Sequence, residues 1–196
     1  MRHAVAIFGV VLLVFGAVSW HYALSLVVRH ADELVVFGEE VARELSLPYR
    51  ITLLSFMERN QALPVPVYGV AVSAIADTWG QARTEGRTHE GVDIFAERGT
   101  PVFSATEGYV VRVDFGFRGG NNVMVVGPGG VYYYYAHLER RSHSIERGAY
   151  VTPDTVLGYV GDSGNAVGTP PHLHFGLYLI PWKAINPYPL LTERWN

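Results

Sequence analysis

His89-Glu-Gly-Val-Asp93 and His172-Leu-His174 stand far apart in this chain, and together they hold three imidazoles and two carboxylates. Two imidazoles and one carboxylate make a set of three protein ligands for a divalent ion such as zinc. A fourth position is left for water or substrate, and one histidine is spare beside it. That is the composition of a hydrolytic zinc site.

The spacing within each motif decides how the donors are presented. His172, His174 and Gly176 alternate with Leu173, Phe175 and Leu177, which is the period of a strand. On a strand, positions i and i+2 share a face, so both imidazoles emerge side by side. A single HxH pair more often marks surface or hydrogen-bonded histidines than ligands. His89 and Asp93 would align on a helix, but Gly91 and Val92 oppose one. They are expected on a loop running into a strand, with a hairpin-like signal following at Arg98-Gly99-Thr-Pro101. By itself this pentapeptide reads as an exposed loop histidine and a turn aspartate. A metalloprotease HExxH helix is excluded, because the fifth residue is Asp93 and Gly91 disfavours the helix. Glu90 then reads as a solvated charge.

A third histidine, His137, follows Tyr132-Tyr-Tyr-Tyr135 and Ala136. The tyrosines are expected to alternate between core and surface. His137 is expected where the strand that begins at Val131 leaves the sheet, a place where polar side chains face clefts. His143 lies in the charged segment Glu139 to Arg147 and reads as a solvent-facing loop residue. His3, His21 and His30 border or interrupt an apolar run and are not expected as ligands. Asn121 and Asn122 are expected in a turn.

The rest of the chain must position these groups. At 196 residues with 49% hydrophobic and 13% aromatic side chains, one domain with a substantial core fits, plus something smaller. Twelve tyrosines and twenty-one glycines suggest strands and turns rather than a helical bundle. A net charge of -3 offers no basic surface for nucleic acid. The absence of cysteine excludes disulfides and thiolate ligands, and leaves the compartment undecided.

From Ala4 to Val28 the chain is almost wholly apolar, with Arg2 before it and Arg29 to Glu33 after it. About 20 apolar residues span a bilayer core as a helix, and Trp20 and Tyr22 suit an interfacial belt. The competing reading is a cleaved signal peptide with Ala17-Val-Ser19 at the cut, but its apolar region exceeds the usual ~7–15 residues. We expect a membrane anchor over residues 1–30; both readings export the remainder. Residues 31–66 read as a helical stalk. Asp32 caps it, Leu34, Val35, Val41, Ala42 and Leu45 recur at helical spacing, and Pro48 separates a second stretch from Tyr49 to Asn60. Leu63-Pro-Val-Pro-Val67 then marks a boundary.

Beyond it the period becomes two. Val102-Phe103, Tyr109–Val113, Val123–Val126, Val131–Tyr135 and Val156–Val160 are strand-like runs separated by glycine-rich turns. The turn Gly127–Gly130 is expected to join two antiparallel strands. The fold class is therefore mainly β. Residues 67–196 form an antiparallel sheet domain with a groove, preceded by the hydrophobic helix and the short helical stalk.

Taken together, His89…Asp93, Tyr135…His137, Gly161-Asp-Ser-Gly164 and Pro171-His-Leu-His-Phe175 occur in an order that resembles the lysostaphin/LytM-type zinc metallopeptidases. The resemblance covers about residues 76–189 and includes Asp77-Thr-Trp-Gly80 with Arg83, Gly99-Thr-Pro-Val102, Gly158-Tyr-Val-Gly161 and Ile185-Asn-Pro187. It implies one Zn2+ held by His89, Asp93 and His174, with His137 and His172 as catalytic residues. It also implies a substrate contact for Arg83, although a surface ion pair suits that residue equally. The implied substrate is a peptide of bacterial cell-wall peptidoglycan. The implied location is the cell envelope, anchored in the inner membrane with the catalytic domain in the periplasm. The alternative is a non-catalytic regulator that activates cell-wall amidases; such relatives usually lack one or more of the five polar residues, all of which are present here. Protein partners are not specified by the sequence.

Overall fold

A computed structural model describes residues 46–83 and 86–194. The expected membrane anchor over residues 1–30, and the stalk up to residue 45, lie outside the described residues. Among the described residues, no helix is long and apolar enough to cross a membrane.

The described chain is mainly β. Its strands are β1 (Leu63–Pro64), β2 (Val92–Phe95), β3 (Pro101–Phe103), β4 (Gly108–Gly116), β5 (Gly120–Val126), β6 (Tyr132–Arg141), β7 (Tyr150–Val151), β8 (Val156–Val160), β9 (His172–Leu179), β10 (Lys183–Ile185) and β11 (Leu191–Thr192). Nine of them form one sheet whose central path runs β10-β9-β6-β5-β4-β7, with β2 on β9 and β3 on β8. All pairs in that sheet are antiparallel. The expected turn at Gly127–Gly130 does connect β5 to antiparallel β6. The tyrosine run alternates as its period requires: Tyr133 and Tyr135 are buried, while Tyr132 and Tyr134 are half-buried.

Three expectations change. The segment Arg98–Pro101 does not close a hairpin, because β2 pairs with β9 and β3 pairs with β8. The strand containing the tyrosines does not end at His137; β6 continues to Arg141 after exchanging β9 for β8 as its neighbour. Asn121 and Asn122 lie in β5 rather than in a turn. There the Asn122 amide donates to the Gly120 carbonyl, and the Asn121 amide donates to the carbonyls of Leu138 and Glu139.

The segment before residue 67 packs against the sheet. Its compact unit begins at Ser46, and Leu63, Val65 and Val67 are among the most buried side chains of the core. The alternating prolines explain how this segment can be both proline-rich and structural. Val65 N–H donates to the Thr192 carbonyl, and the Pro66 carbonyl accepts from Phe103 N–H. Pro64 and Pro66 therefore place their missing donors where the ladder needs none. Residues 46–55 are helical straight through Pro48, and Leu47 and Leu54 are buried.

If β1 belongs to the core, Leu63→Ala should cost about 2–5 kcal/mol of stability. Urea unfolding of the full chain reads this directly, and a loss near zero would return the segment to the role of a linker.

Candidate active site

The register of β2 against β9 builds the centre. Asp93 is the cross-strand partner of His174, and Phe95 is the partner of His172. Residues directly opposite on one face lie within side-chain reach. His89 reaches the same point from the loop before β2, held by backbone bonds between Gly80 N and His89 O and between His89 N and Gln81 O. The expected loop-to-strand placement of His89 and Asp93 is thus observed, and so is the strand placement of His172 and His174.

The three donor atoms form a nearly equilateral triangle. His89 Nε2 is 2.9 Å from His174 Nδ1 and 3.0 Å from Asp93 Oδ1, and His174 Nδ1 is 3.1 Å from the same oxygen. Ligands about 2.0–2.1 Å from a tetrahedral ion lie about 3.3–3.4 Å apart, slightly wider than this triangle. His89 Nδ1 donates to the Thr78 carbonyl at 2.7 Å, which leaves the Nε2 lone pair facing the other two donors. Two imidazole nitrogens and a carboxylate oxygen so arranged need a cation or shared protons among them. The donor set and its spacing fit a divalent ion.

Neighbouring groups fix the donors. Thr78 contributes twice, since its hydroxyl also accepts from Asp93 N–H at 3.0 Å. The second Asp93 oxygen accepts from Arg83 Nη2 at 2.5 Å. Arg83 therefore makes an ion pair whose partner is Asp93, one of the three donors that could hold a metal ion. Burial pushes the Asp93 carboxyl up. The hydrogen bonds from His174 and His89 outweigh this and hold it well below the usual carboxylate range. Burial pushes His174 down against the opposing pull of Asp93. Gly91 has no room for a side chain, because a Cβ there would meet His174 Cε1 at 2.6 Å and the Phe175 carbonyl at 2.7 Å.

His137 and His172 flank the triangle. Their ring centroids are 5.1 Å apart, and His137 is 5.9 Å from His174. His137 has φ 63°, a left-handed conformation uncommon for a side chain of this size. It occurs at the point where β6 changes neighbours. The extra turn of backbone is secured by His137 N–H donating to the Gly119 carbonyl. His137 Nδ1 donates to the Ser163 carbonyl and His172 Nδ1 to the Pro170 carbonyl, both at 2.8 Å. That tautomer leaves each Nε2 as a proton acceptor. Burial pushes His137 down to about 4, with the Ser163 carbonyl acting in the opposite sense, so the ring is neutral at pH 7.

Ser163 is in turn tied to its surroundings. Its hydroxyl donates to the Leu138 carbonyl and accepts from Asn121 N–H. Gly164, at φ 74°, packs so closely that a Cβ would lie 2.3 Å from Gly120 N. All five predicted residues and Arg83 line one cleft of about 500 Å³, together with Tyr134, Tyr178, Glu90 and two further arginines. Sequence reasoning passed over Thr78, Tyr134 and Tyr178. Strand parity would have found the tyrosines: Tyr134 pairs with Gly176, Ala136 pairs with His174, and Tyr178 lies four residues after His174. Thr78 lies within the Asp77-Thr-Trp-Gly80 stretch, but nothing local to it announces its two contacts to His89 and Asp93. His143 is exposed, as expected.

A three-donor His–Asp–His centre in a cleft over an antiparallel sheet is the class of site that the geometry defines. Residues 87–187, just over half of the chain, match Peptidase family M23, and the chain belongs to that family. It is 38% identical over 150 residues to the L-Ala–D-Glu endopeptidase of Bacillus subtilis, an alignment covering 70% of this chain and 45% of that protein. Among solved structures, lytM of Ruminococcus gnavus has 33% identity and a TM-score of 0.58, covering 67% of this chain and 59% of that one. The catalytic domain of lysostaphin from Staphylococcus simulans has 29% identity and a TM-score of 0.53, covering 59% and 89%. The chain spans less than half the length of the curated relatives it matches.

His174→Ala should abolish tight binding of Zn2+, whereas His172→Ala should retain it. Competition against a chromogenic chelator measures both, and equal loss in the two variants would overturn this division between holding the ion and flanking it.

Proposed function

We propose that this protein is a zinc metalloendopeptidase that hydrolyses stem peptides or peptide cross-links of bacterial cell-wall peptidoglycan. The observation that carries the reading is the convergence of the His89–Asp93–His174 triangle with two further imidazoles in one open cleft. Membership of Peptidase family M23 and the named activities of its relatives support it; the relative in Bacillus subtilis is an L-Ala–D-Glu endopeptidase. From the apolar run at residues 4–28, we further propose export and anchoring in the inner membrane, with the sheet domain in the periplasm.

His89, Asp93 and His174 would hold the ion. When bound, a divalent metal polarises a carbonyl and lowers the pKa of coordinated water toward about 7. The chain's own residues supply proton handling and geometry. His137 and His172 each present Nε2 as an acceptor, fixed in that tautomer by the Ser163 and Pro170 carbonyls. Each can take a proton from the attacking water and deliver it to the departing amine. Once protonated, an imidazole also becomes a donor to negative charge developing on the carbonyl oxygen. No second carboxylate is needed for this work. Glu90 lines the cleft but is exposed, and Asp93 is committed to the triangle and to Arg83. Arg83 acts here through Asp93, keeping one carboxylate oxygen directed at the triangle.

The full chain, loaded with zinc and incubated with isolated cell walls, should release muropeptides that mass spectrometry identifies with their cut bond. His137→Ala should lower the rate by about 10²–10⁴-fold without loss of zinc. A preparation that binds no zinc, cleaves nothing and instead accelerates an added amidase would establish the regulator reading.

Gly164→Ala supplies an independent check on proton handling. The added methyl must displace the turn at Gly120 or the loop carrying the Ser163 carbonyl, so turnover should fall while zinc stoichiometry is unchanged. Wild-type turnover in this variant would show that the Ser163 contact is dispensable.

A further inference from the structure

The tyrosines of β6 differ in what their hydroxyls do. On the core side, Tyr133 Oη accepts from the Asn60 amide at 3.3 Å, and Tyr135 Oη accepts from Ala105 N–H at 2.8 Å. On the opposite face, Tyr134 lines the cleft together with His137, His172 and His174. Its hydroxyl has no hydrogen-bond partner among the described residues. The ring is half-buried, and the hydroxyl is reached from the cleft. A phenol keeps its proton at neutral pH, so this group is a donor without an acceptor.

The surroundings fix where that donor points. The Arg112 guanidinium carbon lies 5.5 Å from the centre of the Tyr134 ring, a cation–π contact. His174 and Tyr178 meet the ring edge-on at 6.1 and 6.5 Å between centres. The cross-strand partner of Tyr134 is Gly176, which carries no side chain to compete for the space. Gly119 makes room at the other end, because a Cβ there would overlap Tyr134 Oη. The Gly119 carbonyl in turn accepts from His137 N–H at 2.8 Å. The hydroxyl therefore lies against the turn that holds His137, while its ring leans on a candidate metal donor.

Resting on the endopeptidase reading above, we propose that Tyr134 is a substrate-contacting residue whose hydroxyl donates to a main-chain carbonyl of the bound peptide. Every peptide residue carries such a carbonyl, so the contact fixes position rather than side-chain identity. The Tyr134 and His174 rings are 6.1 Å apart between centres. An extended peptide advances about 3.3 Å per residue, so the carbonyl taken lies within about two residues of the scissile bond. A contact of this kind is present in the bound substrate as well as in the transition state. It therefore acts on KM more than on kcat.

Tyr134→Phe removes the hydroxyl and keeps the ring with its contacts to Arg112 and His174. The probe is a fluorescently labelled muropeptide fraction prepared from cell walls. Anisotropy with the zinc-loaded full chain should show binding weakened about three- to tenfold in this variant. KM should rise by a similar factor with kcat nearly unchanged, while zinc affinity and the urea midpoint stay at their wild-type values. Tyr132→Phe, on the same strand but outside the cleft, should bind the probe as the wild type does. Gly119→Ala, whose methyl must push the hydroxyl aside, is the second variant and should also weaken binding. Wild-type affinity in Tyr134→Phe overturns the proposal, and so does an equal loss in Tyr132→Phe. Were Tyr134→Phe to unfold, wild-type affinity in Gly119→Ala would overturn it instead. A wild-type protein that binds muropeptides and cleaves none would count against the endopeptidase reading, and the binding comparison would still decide the Tyr134 contact.

Discussion

The pairing of β2 with β9 is the constraint on which the site depends. It places Asp93 opposite His174 and leaves their side chains on the cleft face. Side-chain direction alternates along a strand, so a slip of one residue in this pairing would turn the carboxylate to the opposite face. The register is defended from both sides. Val92 and Ile94 alternate with Asp93 and are fully buried, as are Leu173 and Phe175 on β9. Moving Asp93 out of place by such a slip of β2 would therefore expose Val92 and Ile94, and each such burial is worth about 1.5–3 kcal/mol. The hydrophobic core beneath the sheet holds the three candidate metal donors above it in position.

A second constraint governs the flanking histidines. β6 cannot remain paired with β9 and also serve β8, and it makes the exchange at His137. The left-handed backbone there turns a residue that would otherwise follow strand alternation into the cleft. Such a conformation persists only where the surroundings over-determine it. Here the Gly119 carbonyl holds the His137 backbone, and the Ser163 carbonyl holds its ring. Ser163 is fixed by Leu138 and Asn121. The glycines in the facing turns permit the close approach. The placement of His137 in the cleft and the strand exchange are thus two consequences of one local distortion.

Much of this was legible in advance because it rests on short-range periodicity. Alternation around His172 and His174 announces a strand with two imidazoles on one face. The tyrosine run announces another strand, and the glycine cluster at 127–130 announces the turn that precedes it. The misreadings share a physical origin. Proline at alternate positions reads as a boundary, because local propensity carries no information about a neighbouring strand that can accept such a pattern. The turn at Arg98–Pro101 looked like a hairpin for the same reason. Arg83 was legible as a cleft residue, but its partner was not, since the contact to Asp93 depends on how the loop before β2 folds back.

The chain's own order of residues determined the donor types, the faces on which His172 and His174 emerge, and the predominance of strands, because each follows from side-chain chemistry and a period of two. Tertiary structure alone decided that Asp93 meets His174, that His137 leaves the alternation of β6, and that Thr78 bonds both His89 and Asp93. Those outcomes require strands distant in sequence to choose partners and register. That choice is made by burial of the shared core, which no local stretch of sequence contains.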